Sequence, residues 1–584
     1  MSSNTIIHRF WPPSWCCIHE MPNEIFEMIF VSSAPPSLSE PTPGSVKQVV
    51  RYLKRAGVRD YPSLLSLVCR RWREVASTSQ ILHSFIFVDV EDVYKFKQSD
   101  DYYTSFFARS GNRPLTFSIN GLQYACIDLL AAPLFRDQLP RMKWACIDMY
   151  VEQYVFQVDG PTGYDVFPLF PGVKTPLLET LHVDVGEDGG LSNSVGAHQY
   201  FEDLSEGIVS EDRRILQYAP RLTSFSMERF DPEGSWTTYS LQNAGLNYEI
   251  ITSLRLPYVQ LRVAAWIKFL ALFPVLEIFS CRLFDAETQE DPDSEEEQSS
   301  DEDEQSSGED EGPPAVPLTL PYLTDISICS DSGNGEALYS ADEQTGLGKF
   351  LDGLVLPSLR TFAYKTESFN SKDGDSKHGR ENLQVDGDLL TYDMFLPSAL
   401  QSLIKRSGCE VHGLALNISD MSPRDVVLVL EVFPELRALH LDLSMRACED
   451  AGNLLGRLAR RPGGDGLDQS AKGDFELVPK LTRLVLDNQE MDVYHPQGAI
   501  IVSDLIRFVD ARWPVGWTNW QIASVRVVVK EDLSAVMGEE LVDVEGDGGS
   551  AGSEMRELPV AEVQSLRKLK ARSDIDIELE TLEK

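Results

Sequence analysis

One serine of this chain stands in a sequence pattern that could do chemistry. Residues Gly548, Ser550 and Gly552 match Gly-x-Ser-x-Gly, which in hydrolases places a nucleophilic serine on a tight turn between a strand and a helix. Such a serine would attack a carbonyl carbon after a neighbouring base had taken its proton. Here the pattern lies in a tail rich in glycine and acidic residues, where neither a strand nor a helix is expected. A hydrolase using Ser550 is therefore the weakest hypothesis, and we predict that the chain is not an enzyme.

A second group of reactive side chains lies near the N-terminus. Cys16, Cys17 and His19 could bind a metal through sulfur and nitrogen. No second ligand pair follows at zinc-finger spacing, and the chain has no glycine-rich phosphate-binding loop. We therefore predict neither a metal site nor a cofactor. The nine cysteines are otherwise scattered singly, which is typical of reduced thiols and indicates a cytoplasmic or nuclear protein.

A strongly acidic segment contains serines that could be phosphorylated. Between Asp285 and Gly312 there are fifteen Asp or Glu residues and no Lys or Arg, so we predict a disordered loop over 285–312. An acid three residues later makes five serines suitable for a casein-kinase-type enzyme, although a solvated spacer without regulation is the simpler interpretation. These serines are Ser294, Ser299, Ser300, Ser306 and Ser307.

The net charge limits the classes of partner. At −39 over 584 residues, the chain is poorly suited to bind nucleic acid or an anionic membrane. No apolar run approaches the roughly 20 residues that span a bilayer. The N-terminus also lacks a basic region followed by a continuous apolar core. We therefore predict no nucleic-acid partner, no membrane partner and no signal peptide.

One short phrase returns along the chain in the form Pro-x-Leu-x-x-Φ-x-Φ, where Φ is apolar. Its last two apolar residues alternate as in a strand with one face in a core, and its proline would end a preceding helix. Copies with the proline begin at Pro176, Pro220, Pro274, Pro321, Pro357, Pro434 and Pro479, and copies without it at Ile251 and Val411. The phrase predicts a leucine-rich type of repeat whose strands pair into a parallel sheet.

The spacing of the phrase supports a repeat. Ile251 and Leu276 are 25 residues apart, within the roughly 20–29 residues of leucine-rich repeats. The stretches 269–274 and 429–434 are nearly the same apolar sequence ending in proline, so we expect each to contain an outer helix. Unrelated helix–strand pairs of an ordinary α/β sheet are the alternative, but they leave the recurrent proline unexplained. The strand-like stretch 525–529 is expected to close the array.

Two further apolar helices are predicted near the N-terminus. In the first, apolar side chains recur at helical spacing after a proline, and in the second they alternate with arginines. The first group is Pro22, Ile25, Phe26, Ile29 and Phe30, and the second is Leu64, Leu65, Leu67, Val68 and Trp72. Taken in order, the two stretches resemble the F-box, the helical module through which substrate receptors dock onto the Skp adaptor of a cullin-based ubiquitin ligase.

The resemblance extends beyond these helices. The stretches 106–115 and 403–411 each contain Arg-Ser-Gly and are similar to a phrase of the large fungal F-box/leucine-rich-repeat family, where it ends a helix before a repeat strand. The resemblance covers roughly Met21 to Lys530. It implies an α/β fold: a three-helix F-box followed by an irregular leucine-rich-repeat solenoid, with a parallel sheet and outer helices.

The same resemblance implies a function. The chain would be a non-catalytic substrate-recognition subunit that docks a Skp-type adaptor, and through it a cullin, while the repeats hold a target protein. The ten residues of the two N-terminal groups are carried over as adaptor-binding. Some of them, such as Trp72, pack the core of the module in the family, and the sequence does not separate the two roles.

One departure from the family leaves an alternative open. An insertion over 31–61, with a basic amphipathic stretch that includes Val46, Val49, Val50 and Leu53, separates the first two helices. If it covers the adaptor surface, the chain is a leucine-rich-repeat protein-binding scaffold with a vestigial F-box. The pair Leu82-His83 also stands where family members often carry Leu-Trp.

The sequence thus predicts four regions. They are an N-terminal extension over 1–20, an F-box-like module over 21–90, a repeat array over 91–530 interrupted by the acidic loop 285–312, and an acidic tail over 531–584.

Overall fold

The computed structural model describes residues 21–33, 53, 60–89, 99–123, 133–151, 174–187, 219–228, 246–261, 263–283, 316–332, 346–368, 395–417, 423–442, 454–459, 477–487, 508–509, 523–529 and 575–581. Several residues singled out in the sequence lie outside these ranges: Cys16, Cys17, His19, Val46, Val49, Val50, the five serines of the acidic segment, and Ser550. The chain divides into two compact units, Met1–Gln260 and Leu261–Lys584.

The first unit begins with helices and continues as a strand array. Its helices are α1 (Asn23–Ser33), α2 (Tyr61–Ser66), α3 (Arg70–Thr78), α4 (Ser99–Ser110) and α5 (Pro133–Arg136), with short 3-10 helices at Leu82–Ser84 and Leu139–Arg141. Its strands are β1 (Phe85–Asp89), β2 (Leu115–Gln123), β3 (Met142–Val151), β4 (Thr180–Glu187), β5 (Ser224–Glu228) and β6 (Ser253–Leu261). Each strand pairs in parallel with the next along the chain.

Aromatic side chains pack the helices of the first unit onto one face of its sheet. The ring of Phe135 in α5 lies 5.9 Å from that of Phe117 in β2, and 5.8 Å from that of Phe107 in α4. All three side chains are buried, since each is at most 5% exposed. The core of this unit therefore lies between the helices and the sheet.

The second unit repeats this arrangement. Its longer helices are α6 (Val263–Leu270), α7 (Gly346–Asp352), α8 (Phe395–Ser407) and α9 (Pro423–Glu431), and residues 454–458 are also helical. Its main strands are β7 (Ile278–Leu283), β9 (Asp325–Ser332), β11 (Thr361–Ser368), β12 (Gly413–Asn417), β13 (Ala438–Asp442), β14 (Arg483–Asp487), β15 (Ala523–Val529) and β16 (Ile575–Thr581), all paired in parallel in that order. Two short strands, β8 (Leu318–Thr319) and β10 (Leu354–Val355), form a separate parallel pair.

Each copy of the repeated phrase leads into one strand, as predicted. Its two final apolar residues are buried in every copy except that of Pro357, where Tyr364 is only partly buried. In α6, Trp266 packs edge-on against Phe279 of β7 at 5.4 Å, so this helix covers the same face of the sheet that the phrase buries. The prediction of an α/β fold with a parallel sheet and outer helices is confirmed for the described residues.

The recurrent proline lies where helical hydrogen bonding stops, as predicted. Helix α6 ends at Leu270 and α9 at Glu431, but turns of helical type continue to the residue before each proline. The last of these bonds run from the Phe273 amide to the Leu270 carbonyl and from the Phe433 amide to the Leu430 carbonyl. Proline has no amide hydrogen with which to continue the series. It also occupies the second position of a β-turn, which closes when the leucine amide donates to the carbonyl three residues earlier, as from Leu276 to Phe273.

The Arg-Ser-Gly phrase ends a helix, as predicted. Gly111 follows α4 and Gly408 follows α8, with positive φ angles of 58° and 65°, a conformation that glycine adopts without steric cost. The hydroxyl of Ser407 accepts from the amide of Leu356 at 2.9 Å, and the guanidinium of Arg406 donates to the carbonyl of Leu354 at 3.1 Å. The phrase therefore ends the helix and ties it to β10 and the turn that follows.

The expectations for the last strand, the cysteines and membrane-spanning helices have different outcomes. The stretch 525–529 forms a strand, but it does not close the array, because β16 pairs with β15 from Ala523–Ile575 to Val529–Thr581. None of the five described cysteines forms a disulfide, and four of them are buried. No helix among the described residues is both long and apolar enough to cross a membrane.

Candidate protein-docking surface

The first three helices form a small core of their own. Phe26 and Phe30 of α1, Leu65 of α2 and Val75 of α3 are at most 6% exposed and pack together. The spacing of Phe26 and Phe30 places them on one face of α1, as an amphipathic helix requires. Leu53 is also buried in this cluster. At that residue, the insertion over 31–61 contributes to the core of the module.

Trp72 of α3 joins α3 to α1. Its ring lies 4.7 Å from that of Phe30 and 6.4 Å from that of Phe26, although the side chain stays partly exposed. The N-cap of this helix is Cys69, whose sulfur accepts a hydrogen bond from the Trp72 amide at 3.5 Å. Contacts of this kind between aromatic rings stabilise the packing by more than the burial of the rings alone.

Polar side chains fix the ends of α1. The guanidinium of Arg71 donates to the Met21 carbonyl at 2.6 Å and lies over the Phe26 ring at 5.3 Å. At the other end, the Tyr61 hydroxyl donates to the Phe30 carbonyl at 3.2 Å. In the middle of the helix, the Ser79 hydroxyl donates to the Glu27 carboxylate. Both ends of α1 are thus held against the other two helices.

The start of α2 is capped by an aspartate that also reaches the next part of the chain. The carboxylate of Asp60 accepts from the Ser63 amide at 2.6 Å, which is an N-cap. Its second oxygen accepts from the hydroxyl of Tyr102 in α4. His83 also contacts α4, with its ring 4.9 Å from that of Phe106, and burial lowers its pKa. The module is therefore joined to the strand array that follows.

Large apolar side chains remain exposed on this module, and we call them the docking face. They are Ile25, Met28 and Ile29 of α1 and Leu67 and Val68 of the turn after α2, with exposed fractions between 39% and 64%. The bond from Arg71 to Met21 brings the start of α3 beside the start of α1. Because Leu67 and Val68 immediately precede α3, they lie at the same end of the module as Ile25.

The structure sorts the ten predicted adaptor-binding residues into two groups. Phe26, Phe30 and Leu65 are buried, while Leu64 and Trp72 are half-buried against the core. Ile25, Ile29, Leu67 and Val68 belong to the docking face, and Pro22 beside them is also exposed. A partner that lies on the docking face would contact the exposed residues directly. The buried and half-buried residues hold those exposed residues in place from the core.

Sequence reasoning missed one member of the docking face. Met28 is 64% exposed, more than either isoleucine of α1. The helical spacing could have identified it, since Met28 lies three residues after Ile25 and so falls on the same side of the helix. Its flexible thioether side chain suits a surface that adapts to a partner.

Charged side chains also belong to the helices that carry or follow the docking face, among them Glu24 of α1 and Arg73 of α3. Arg70 and Glu74 form an exposed ion pair at 3.0 Å, which contributes little to stability because water screens it. Among the residues that the structure describes, no group of three or more His, Cys, Asp and Glu is placed to hold a metal ion. The five exposed apolar side chains suit the docking face to apolar contact with another protein.

Comparisons with known proteins add little. A scan of the sequence against protein-family models finds no match, and a search of curated proteins finds no similar sequence. Among solved structures, the chain is similar to one described as "Crystal structure of Rad7 and Elc1 complex in yeast", at 12% identity and a TM-score of 0.25, over 82% of this chain and 97% of that one. At this score and identity, the likeness establishes neither a common fold nor a common function.

Proposed function

We propose that this chain is a non-catalytic substrate-recognition subunit of a Skp–cullin–F-box ubiquitin ligase. Its N-terminal helices act as an F-box that docks a Skp-type adaptor, and its strand array is an irregular leucine-rich-repeat solenoid that holds a target protein. Ubiquitin transfer is carried out by other subunits. The contribution of this chain is proximity, because tethering the target raises its effective concentration at the transfer site.

One observation carries the proposal. A small helical module with a buried core exposes five large apolar side chains at α1 and the turn before α3. Of the seven large apolar side chains that are exposed among the described residues, these are five. Apolar surface concentrated in this way typically marks an interaction site. The order of residues that resembles the F-box supplies the class of partner.

The alternative of a scaffold with a vestigial F-box depends on the insertion over 31–61. Its described part includes Leu53, which is buried in the same core cluster as Phe30 and Tyr61. Leu53 itself therefore does not cover the docking face, and at this one position the insertion is compatible with the ligase hypothesis. Val46, Val49 and Val50 lie outside the described residues.

Affinity purification of the tagged full-length chain from its own cells tests the proposal. The docking-face variant combines Ile29→Ser with Val68→Ser, at positions where the side chains are 40% and 60% exposed. The matched control combines Val316→Ser with Tyr322→Ser, the other two exposed large apolar residues, which lie in the second unit. We expect mass spectrometry to find the Skp adaptor and cullin with the wild type and the control, and to lose both with the docking-face variant.

Two outcomes contradict this expectation. If the adaptor is absent from all three samples, the ligase hypothesis is wrong and the scaffold hypothesis stands. If the adaptor is present equally in all three, the docking face is not the site of contact.

A further inference from the structure

One position of the repeat carries a basic side chain in three consecutive repeats of the second unit. It is the residue immediately before each strand, and its amide donates to the carbonyl of the same position one repeat earlier. The amides of Arg360, His412 and Arg437 form such bonds at 2.7 or 2.8 Å, and so does that of Thr482. These residues therefore stack directly on one another, and we call Arg360, His412 and Arg437 the basic row.

In other repeats the same position is often threonine, which has a structural role there. The threonine hydroxyl donates to the carbonyl of the preceding repeat, at distances between 3.1 and 3.4 Å. The four threonines are Thr223, Thr252, Thr324 and Thr482. The basic row replaces this hydroxyl with a charged or ionisable side chain three times in succession, so the stability of the ladder does not account for its residues.

Both arginines of the basic row are exposed, and neither forms an ion pair or a side-chain hydrogen bond with another described residue. Such pairing is available at this position elsewhere in the chain. In the first unit, Lys143 occupies it and pairs with Glu179 of the next repeat at 3.1 Å. A third exposed arginine without such a partner, Arg483, lies beside the row, since its amide donates to the Arg437 carbonyl at 2.9 Å. Three cationic side chains are thus left unpaired by the residues that the structure describes.

The acidic residues near the basic row are already engaged or lie beside its histidine. Glu435 accepts a hydrogen bond from Lys480, and this bond and the neighbouring positive charges lower the pKa of Glu435. The carboxylate of Asp325 accepts from the hydroxyl of the preceding residue at 2.6 Å. Glu410 lies 3.8 Å from Nε2 of His412. None of these described carboxylates forms an ion pair with an arginine of the row.

An extended acidic segment matches this arrangement. Neighbouring strands are about 4.8 Å apart, so the backbones of Arg360 and Arg437, two strands apart, are separated by about 10 Å. An extended chain advances about 3.3 Å per residue, so carboxylates three residues apart have the same separation. A guanidinium binds a carboxylate through two parallel, charge-assisted hydrogen bonds. The net charge of −39 repels anions at long range, which disfavours the many phosphates of a nucleic acid but allows short contacts with a few carboxylates.

We propose that the basic row, together with Arg483, binds an extended, carboxylate-rich segment of a partner protein. Arg360 and Arg437 each bind one carboxylate of that segment, and Arg483 adds a third positive charge beside Arg437. The inference rests on the proposed function in so far as this partner is the target of the ligase. Charge complementarity selects the occupant, because the row offers guanidinium groups that no described carboxylate neutralises.

Peptide binding to the full-length chain tests the inference. The probes are two fluorescently labelled peptides of equal length, one with glutamate at every third position and one with glutamine there. The site variant is Arg360→Thr with Arg437→Thr, which gives both positions the residue found in four other repeats. The control variant, Arg221→Gln with Arg457→Gln, removes the same charge from exposed positions outside the row. We expect the glutamate peptide to bind the wild type and the control alike, and the site variant about tenfold more weakly or worse.

Thermal unfolding separates binding from a structural role. Threonine can form the bond to the preceding carbonyl that Thr324 and Thr482 form, so we expect the site variant to melt at or above the wild-type temperature. A lower melting temperature would mean that the arginines serve the fold, and the inference would be wrong. It would also be wrong if the wild type binds both peptides equally or neither of them, or if the site variant binds the glutamate peptide as the control does.

The acidic segment 285–312 of this chain is the alternative occupant. A full-length variant in which every Asp and Glu of 285–312 is changed to Asn or Gln decides between the two. If the wild type binds the glutamate peptide as tightly as this variant does, the acidic segment does not compete and a partner protein is supported. If only this variant binds the peptide, the occupant is the chain's own segment, and a partner site is contradicted.

The two proposals fail separately. The site variant leaves the docking face intact, so it should recover the Skp adaptor from cells as the wild type does. The docking-face variant should in turn bind the glutamate peptide with wild-type affinity. If no adaptor is recovered while the peptide still distinguishes the site variant from the control, the ligase hypothesis alone is wrong. If the adaptor is recovered but the peptide does not distinguish them, the basic-row site alone is wrong.

Discussion

The indole ring of Trp72 lies against the ring of Phe30, with centroids 4.7 Å apart and planes inclined by 57°. This contact joins α3 to α1 and is reinforced one residue earlier, where Arg71 donates to the Met21 carbonyl. Together, these two contacts determine which side of α1 is buried and which side is exposed to solvent. The exposed position of Ile25 and Ile29 is therefore a consequence of packing on the opposite side of the same helix.

Truncation of Phe30 should unfold the module. Phe30 is fully buried, and Phe30→Ala should lower the free energy of unfolding by about 3–5 kcal/mol, because it leaves a cavity beneath Trp72. Hydrogen exchange of the full-length chain, followed by mass spectrometry, should show faster exchange in α1 and α3. Ile29→Ala, at an exposed neighbouring position, should change exchange there very little.

The carboxylate of Asp60 should stabilise the junction between α2 and α4. Asp60→Ala removes the N-cap bond to Ser63 and the bond from Tyr102, so we expect a loss of about 1–3 kcal/mol. Asp60→Asn keeps an oxygen that can cap the helix and should lose less. Chemical denaturation of both variants measures the difference, and equal losses would show that the cap contributes nothing.

Two glycines at uncrowded positions should respond to alanine in opposite directions. A Cβ atom at Gly408 or Gly456 would meet nothing within 4 Å, so only backbone conformation decides the result. Gly408 has a φ of 65°, and Gly408→Ala should cost about 1–2 kcal/mol. Gly456 lies in the helical stretch 454–458, and Gly456→Ala should stabilise by about 0.5–1 kcal/mol. Thermal unfolding of the two variants provides the comparison.

The buried His182 should make stability depend on pH. Burial, and next Arg255, lower its pKa from 6.5 to about 4, so the unfolded chain binds the proton more tightly than the folded chain. The contribution of the neutral imidazole is thus complete above about pH 6.5 and is lost as the pH falls towards 4. By linkage it is on the order of 3 kcal/mol.

The measurement is denaturation at several pH values, with His182→Gln for comparison. The glutamine variant cannot take up this proton, so its stability should fall less between pH 6.5 and 4 than that of the wild type. Parallel curves for the two proteins would mean that His182 does not titrate differently on folding.

The sequence predicted the later strands better than the earlier ones. From β4 onwards most strands follow the repeated phrase, in which the spacing of the apolar residues indicates which side chains are buried. Among the first three strands, β2 was expected only from the Arg-Ser-Gly phrase before it, and β1 and β3 were missed because no copy of the repeated phrase precedes them. The buried residues of β3 include Ala145 and Ile147 in place of leucines. The sequence before β3 still contains the proline of the phrase, since Pro140 lies in the short 3-10 helix that ends just before Met142.

The division between core and docking face was not predictable from sequence. Ile25 and Phe26 are neighbouring apolar residues on one helix, yet the first is 39% exposed and the second 1%. What separates them is the position of α3, set by Arg71 and Trp72, which lie more than forty residues later in the chain. Helical periodicity identifies an apolar surface but does not tell which part of it another helix will cover.

Because each main strand pairs with the next one along the chain, native contacts stay low in contact order even in a protein of 584 residues. Strands β7 and β9 pair directly, although Ile278 and its partner Asp325 are 47 residues apart, with the acidic segment between them. The entropy of closing a loop grows only with the logarithm of its length, about 0.6 kcal/mol for each doubling. Connections between strands can therefore lengthen or shorten during evolution almost without penalty, while the hydrogen-bonded ladder keeps its register.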